Sequence, residues 1–134
     1  MAEDFDGFLQ RREAAARAYT TGDPAPLLAM TAAEGQVTFL DPGGNALQGA
    51  QPVRISFAEG SAMFGPSTTT RFEVLDSGAS GDLAWWTGFQ LAEAELKGQP
   101  GHVPMRLRIT EVFRRSGGAW LLVHRHASQA SESR

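Results

Sequence analysis

Residues 103–128, VPMRLRITEVFRRSGGAWLLVHRHAS, decide how this chain folds. From Val103 to Arg114 the residues alternate. Met105, Leu107, Ile109, Glu111 and Phe113 fall opposite Arg106, Arg108, Thr110, Val112 and Arg114, the two-residue period of a strand with one apolar face. Ser116-Gly117-Gly118 is a tight-turn signal, and Ala119 to Ala127 reads as the returning strand of an antiparallel hairpin. Regular alternation then gives Trp120, Leu122, His124, His126 and Ser128 a common face. A strand face that begins apolar and ends in two imidazoles predicts a pocket with a polar end, provided that it looks inward.

Working outward, Leu83 to Glu95 reads as a strand closed by the turn Lys97-Gly-Gln-Pro-Gly101, and Thr68 to Leu75 is rich in β-branched residues. Ser77 to Gly81 reads as a loop between these two strands. The first half of the chain is mostly helical in pattern. Phe5, Phe8, Leu9, Ala16 and Tyr19 recur at near-helical spacing from Asp4 to Thr21, and Gly22 is a natural stop. Asp23-Pro24 starts a second, short helix reaching about Thr31. Gln36 to Asp41 reads as a strand stopped by Pro42-Gly43-Gly44. A third helix is expected from Pro52 to Phe64, although Gly60 weakens it by about 1 kcal/mol relative to alanine. Helices first and antiparallel strands afterwards predict an α+β domain, with the helices packed on one face of a curved, mainly antiparallel sheet. Residues 1–134 read as a single domain, with 128–134 a fraying tail.

Composition narrows the function classes. The 134 residues are 42% hydrophobic and 20% charged, ordinary values for a globular domain. A net charge of -3 with no nucleic-acid motif argues against a nucleic-acid partner. The absence of cysteine removes disulfides, thiolate catalysis and cysteine-ligated metals. The acidic start, Met1-Ala-Glu-Asp-Phe-Asp6, lacks the pattern of a signal peptide, and no apolar run is long enough to span a membrane. A cytoplasmic location is the default expectation.

Three segments carry a resemblance. Tyr19-Thr-Thr-Gly22-Asp23-Pro24, Val37-Thr-Phe-Leu-Asp41-Pro42-Gly-Gly44 and residues 110–128, in this order and spacing, resemble the nuclear transport factor 2-like superfamily, in particular its SnoaL-like and ketosteroid-isomerase-like branches. The resemblance implies a cone-shaped fold, with the helices on the concave face of the sheet. In the isomerase branch the catalytic base is the aspartate of an Asp-Pro-x-Gly segment, which here is Asp41-Pro42-Gly43-Gly44. A protonated acid on the penultimate strand serves there as an oxyanion donor, and Glu111 falls at that position. The helix-one tyrosine of that branch falls at Ala15, with Tyr19 one turn later, so steroid isomerisation lacks its second oxyanion donor.

Each candidate residue has more than one reading. Asp41 is either a base desolvated by aromatic walls or the opening residue of its turn. Glu111, on an otherwise apolar face, is a neutral donor, a partner that sets a histidine tautomer, or one half of a structural ion pair. His124 and His126 are general acid–base groups beside Asp41, or a polar cluster closing the wide end of the cone. A metal site is a third reading, for which nothing in the sequence fixes three convergent ligands. Tyr19, Phe39, Trp85, Phe89, Phe113 and Trp120 are expected to wall a pocket for a small apolar or aromatic molecule. Trp86, with Arg106, Arg108, Arg114 and Arg125, is expected on the outer face, which would then be covered by a second copy in a homodimer. The functions that follow are a cofactor-independent isomerase, dehydratase or cyclase, or a non-catalytic ligand-binding or dimerisation domain.

Overall fold

The computed structural model describes residues 3–131. Asp4 caps the first helix, α1 (Phe5–Tyr19), its carboxylate accepting from the Gly7 amide at 2.7 Å. A buried stripe of Phe5, Phe8, Arg12, Ala15 and Ala16 runs along this helix. A short second helix, α2 (Ala25–Ala29), follows Gly22, whose φ of 101° reverses the chain. Two short strands, β1 (Thr38–Leu40) and β2 (Ala46–Gln48), flank the Pro42-Gly43-Gly44 turn; the second of them carried no clear strand signal. The third helix, α3 (Ala50–Ser61), starts and ends a few residues earlier than its periodicity suggests.

Four long strands complete the chain: β3 (Thr69–Ser80), β4 (Leu83–Glu95), β5 (His102–Ser116) and β6 (Ala119–Gln129). Residues 77–80, read as loop, extend β3, and Ser128 and Gln129 extend β6 rather than fraying; of the expected tail, Ala130 and Ser131 follow the strand without regular structure, and 132–134 lie outside the described residues. The sheet order is β2-β1-β6-β5-β4-β3, antiparallel except where β1 runs parallel to β6. α1 packs against β3 and α2, and α3 against β1 and β2, so the helices line the concave side of the curved sheet. Phe5, Phe8, Phe113 and Trp120 interlock at one end of this core, with ring centroids 5.0–6.1 Å apart.

A β-bulge in β6 departs from the alternation that the sequence suggests. Phe113 pairs with Leu122, but Val112 pairs with His124, leaving Val123 as an extra residue. Trp120 and Leu122 therefore face the core, and beyond the bulge Arg125 and Ala127 do, while His124, His126 and Ser128 turn to the convex face. The phase of β4 is also the reverse of the expected one. Ala84, Trp86, Gly88, Gln90, Ala92 and Ala94 are buried, and Trp85 and Phe89 lie on the convex side.

Candidate functional site

Glu111 sits on the concave face of β5 with no solvent exposure. Its Oε1 accepts from Arg12 Nε at 3.0 Å and Trp86 Nε1 at 2.8 Å, and its Oε2 from Arg12 Nη2 at 2.8 Å and Arg125 Nη1 at 2.7 Å. Four donors occupy the acceptor sites of the carboxylate. Burial works to raise its pKa, but the two guanidiniums and the Trp86 indole outweigh burial and hold it down at about 2. Glu111 is therefore an ionised anchor and not a protonated oxyanion donor.

The partners of Glu111 are set by local geometry. Arg12 belongs to the buried stripe of α1, between Phe8 and Ala16. Trp86 lies opposite Glu111 across the β4–β5 ladder, and Arg125 lies opposite it across β5–β6 because of the Val123 bulge. Arg125 Nη2 donates in turn to Gln90 Oε1 at 2.8 Å. A guanidinium only donates, so this bond fixes the Gln90 amide with its Nε2 as the remaining donor. Burial lowers the Arg125 pKa; Arg12 repels it in the same direction, and Glu111 opposes both. Two guanidiniums against one carboxylate leave an excess positive charge in the interior.

Beside this cluster lies a cavity of about 120 Å³. Arg12, Arg125, Gln90, Tyr19 and Thr20 contribute its polar lining. Leu27, Phe39, Phe57, Phe64, Met105 and Leu107 supply most of its apolar wall. Arg12 Nη1, the corner turned away from Glu111, is sealed from solvent and has no hydrogen-bond partner. The Tyr19 hydroxyl rests against Gly60, where any Cβ would collide with it. Gly60, a weak point in α3 by propensity, thus makes room for a phenol at the cavity. Burial raises the Tyr19 pKa, which keeps the phenol protonated at neutral pH. A wider depression of about 660 Å³ across the ends of β3, β4 and β5 is open to solvent and encloses nothing.

The expected site residues divide sharply. Tyr19 and Phe39 line the cavity, and Glu111 anchors its polar end. Phe113 and Trp120 are core residues packed on Phe5, away from the cavity. Trp85 is 38% exposed on the convex face, and Phe89 lies there under Arg106, 4.3 Å from the guanidinium carbon to the ring centroid. Asp41 does not reach the cavity, although its neighbour Pro42 does. Its carboxylate accepts from the Gly43 and Asn45 amides at 3.0 and 2.8 Å and from Asn45 Nδ2 at 3.2 Å, the turn-opening arrangement. His124 Nδ1 lies 2.7 Å from Thr38 Oγ1 on the convex side, and burial followed by repulsion from His126 lowers its pKa. Asp41, Glu111, His124 and His126 thus do not share a cavity. Among the described residues, no three His, Asp or Glu side chains converge as metal ligands.

Sequence comparison agrees with this architecture, the profile of the SnoaL-like domain matching residues 9–132. The chain belongs to the SnoaL-like domain family. Among curated proteins, none matches it. Solved structures similar to this SnoaL-like chain include a candidate dehydratase of the NTF2-like family from Streptomyces avermitilis, 24% identical over 96% of this chain and 97% of that one, with a TM-score of 0.77. A candidate ketosteroid isomerase from Parabacteroides distasonis is 16% identical over 92% and 86% of the two chains, TM-score 0.66. The CaMKII hub of S. rosetta is 21% identical over 93% and 95%, TM-score 0.71. At these identities the likeness is one of fold, and it places this SnoaL-like domain among the α+β cones.

Proposed function

We propose that this SnoaL-like domain is a small-molecule pocket protein that holds its ligand in the cone without acid–base work by Asp41, His124 or His126. The observation that carries this reading is the cavity itself. Its polar end consists of hydrogen-bond donors, while the three expected acid–base groups point elsewhere. At about 120 Å³ it is far below the roughly 300 Å³ at which drug-sized ligands are enclosed, so steroids and other polycycles do not fit it. The second reading is a cofactor-independent isomerase, dehydratase or cyclase. The candidate activities of the S. avermitilis and P. distasonis proteins favour it, as does Tyr19, a neutral phenol at the cavity able to donate a proton.

Calorimetric titration of a fragment-sized ligand separates the two. Asp41→Asn, His124→Gln and His126→Gln are each expected to keep its affinity within about twofold, the scale of a distant surface change. If any of the three abolishes turnover of a substrate found for the protein, the binding-only reading is wrong.

We also infer that the convex face meets a second copy. Leu83, Trp85 and Leu91 present apolar surface there, and the likeness to a hub points the same way. Sedimentation of the wild type against Trp85→Lys tests it: a dimer is expected for the first and a monomer for the second.

A further inference from the structure

The cavity has a chemical polarity that its shape alone does not convey. Its polar end is rich in donors left over after Glu111 has been satisfied: Gln90 Nε2, since Gln90 Oε1 is taken by Arg125, and behind it Arg12, whose Nη1 is sealed and without a partner. The Tyr19 hydroxyl makes no hydrogen bond among the described residues and lines the same space. Among the described residues no carboxylate other than Glu111 borders the cluster, and Glu111 has no acceptor site to spare. Unpaired buried donors cost roughly 1–3 kcal/mol each, and burying charges without full compensation costs more. A fold held together by its core alone gains nothing from this arrangement. An acceptor carrying negative charge would complete both the hydrogen bonding and the charge balance.

We propose that the ligand of the cone is a small monocarboxylate. Its head would take the donors of Gln90 and Tyr19 in the field of Arg12 and Arg125, with a short aliphatic or single-ring body against Leu27, Phe39, Phe57 and Phe64. The inference rests on the pocket reading above and adds the ligand class to it. Size limits the body: a cavity of roughly 150 Å³ takes up benzene, so a body of about one ring is the upper bound here. Charge selects the head. A carboxylate gains charge-assisted bonds from amide and phenol donors, whereas a neutral amide of the same shape offers one acceptor oxygen and brings an NH₂ group against donors. Phosphate and sulfate carry suitable charge but lack a body to displace water from the apolar wall.

The test is a calorimetric titration of the full chain at pH 7 with matched pairs: benzoate against benzamide, and hexanoate against hexanamide. Each acid is expected to saturate one site and to bind about tenfold or more tightly than its amide, because buried donors discriminate strongly against a partner that cannot satisfy them. Tyr19→Phe, which removes one hydroxyl and leaves the ion cluster intact, should weaken the acids severalfold and leave the amides nearly unchanged. Gln90→Met is the second variant, its thermal midpoint measured alongside to exclude unfolding, and it should narrow the preference of acid over amide. Equal binding of acids and amides overturns the carboxylate inference and leaves the pocket reading standing. Acid binding that neither variant alters places the anion elsewhere and also overturns it. If no member of either pair binds at about 10 mM, weaker than fragments of this size need, the pocket reading falls as well.

Discussion

The two faces of the central sheet carry similar residue types and use them in opposite ways. On the concave face, Glu111, Arg12, Arg125, Gln90 and Trp86 are buried and joined by bonds of 2.7–3.0 Å into one cluster. On the convex face, Arg106 covers Phe89, Arg108 Nε donates to Ser128 at 3.1 Å, and His124 meets Thr38, each pair separate and in contact with water. A charge on the convex face can be lost at little cost, because solvent replaces its partner. A charge on the concave face has only the other cluster members. The comparison shows that where a charged residue points decides more than which residue it is.

Glu111→Gln tests that asymmetry most severely. It leaves two guanidiniums in the core without a counter-charge, and a loss of about 3–5 kcal/mol is expected in urea unfolding. Removing the acceptor of a convex-face pair, Ser128→Ala opposite Arg108, should stay within about 0.5 kcal/mol.

Acid should expose the same difference without mutation. The folded pKa of Glu111 is about 2 against an ordinary 4.5, so its ionised form is favoured in the native state. The stability that this contributes is fully present above pH 4.5 and is lost as pH falls towards 2, about 3 kcal/mol in all. Unfolding followed from pH 5 to pH 2 should show this decline, and the decline should be missing in Glu111→Gln.

Gly60→Ala is the mildest of the three. The added methyl meets the Tyr19 hydroxyl, and a destabilisation of about 1–3 kcal/mol is expected from overpacking. In a Tyr19→Phe background the hydroxyl is gone, and the preference of a helix for alanine, up to about 1 kcal/mol, should reverse the sign. A double-mutant cycle by thermal unfolding measures that coupling.

The fold was largely legible. The Gly117-Gly118 hairpin, the alternation of β5, the span of β4 and the spacing of Phe5 and Phe8 in α1 all read correctly, because each is a local pattern. The site was legible only in part, for three physical reasons. Arg12 continues the buried spacing of Phe8 and Ala16, and that signal was present, but a charged residue in an apolar stripe is easily passed over. In β4 both phases carry aromatic residues; Trp85 and Phe89 outweigh Trp86 and Gln90 in hydrophobicity, yet only Trp86 has an N–H matched to Glu111. In β6 His124, Arg125 and His126 are all polar, so hydropathy could not say which of them faces inward once Val123 broke the period. Asp41 followed the commoner rule, that an aspartate before Pro-Gly serves its own turn.

The bulge at Val123 also makes strand register a chemical variable. In an unbroken ladder from the Gly117-Gly118 hairpin, His124 would stand opposite Glu111, and His126 would follow on the same face. With Val123 left out of the pairing, Arg125 stands there instead. Substitutions in β6 can adjust the cone, but they work within an inventory whose phase is already set. Taking Val123 into the ladder would exchange that inventory wholesale, putting imidazoles where there are now a guanidinium and a methyl, whereas deleting residue 123 would leave Arg125 opposite Glu111. Two chains of this family with equal length, one bulged at this point and one not, would therefore match closely in sequence and enclose cavities of different chemistry.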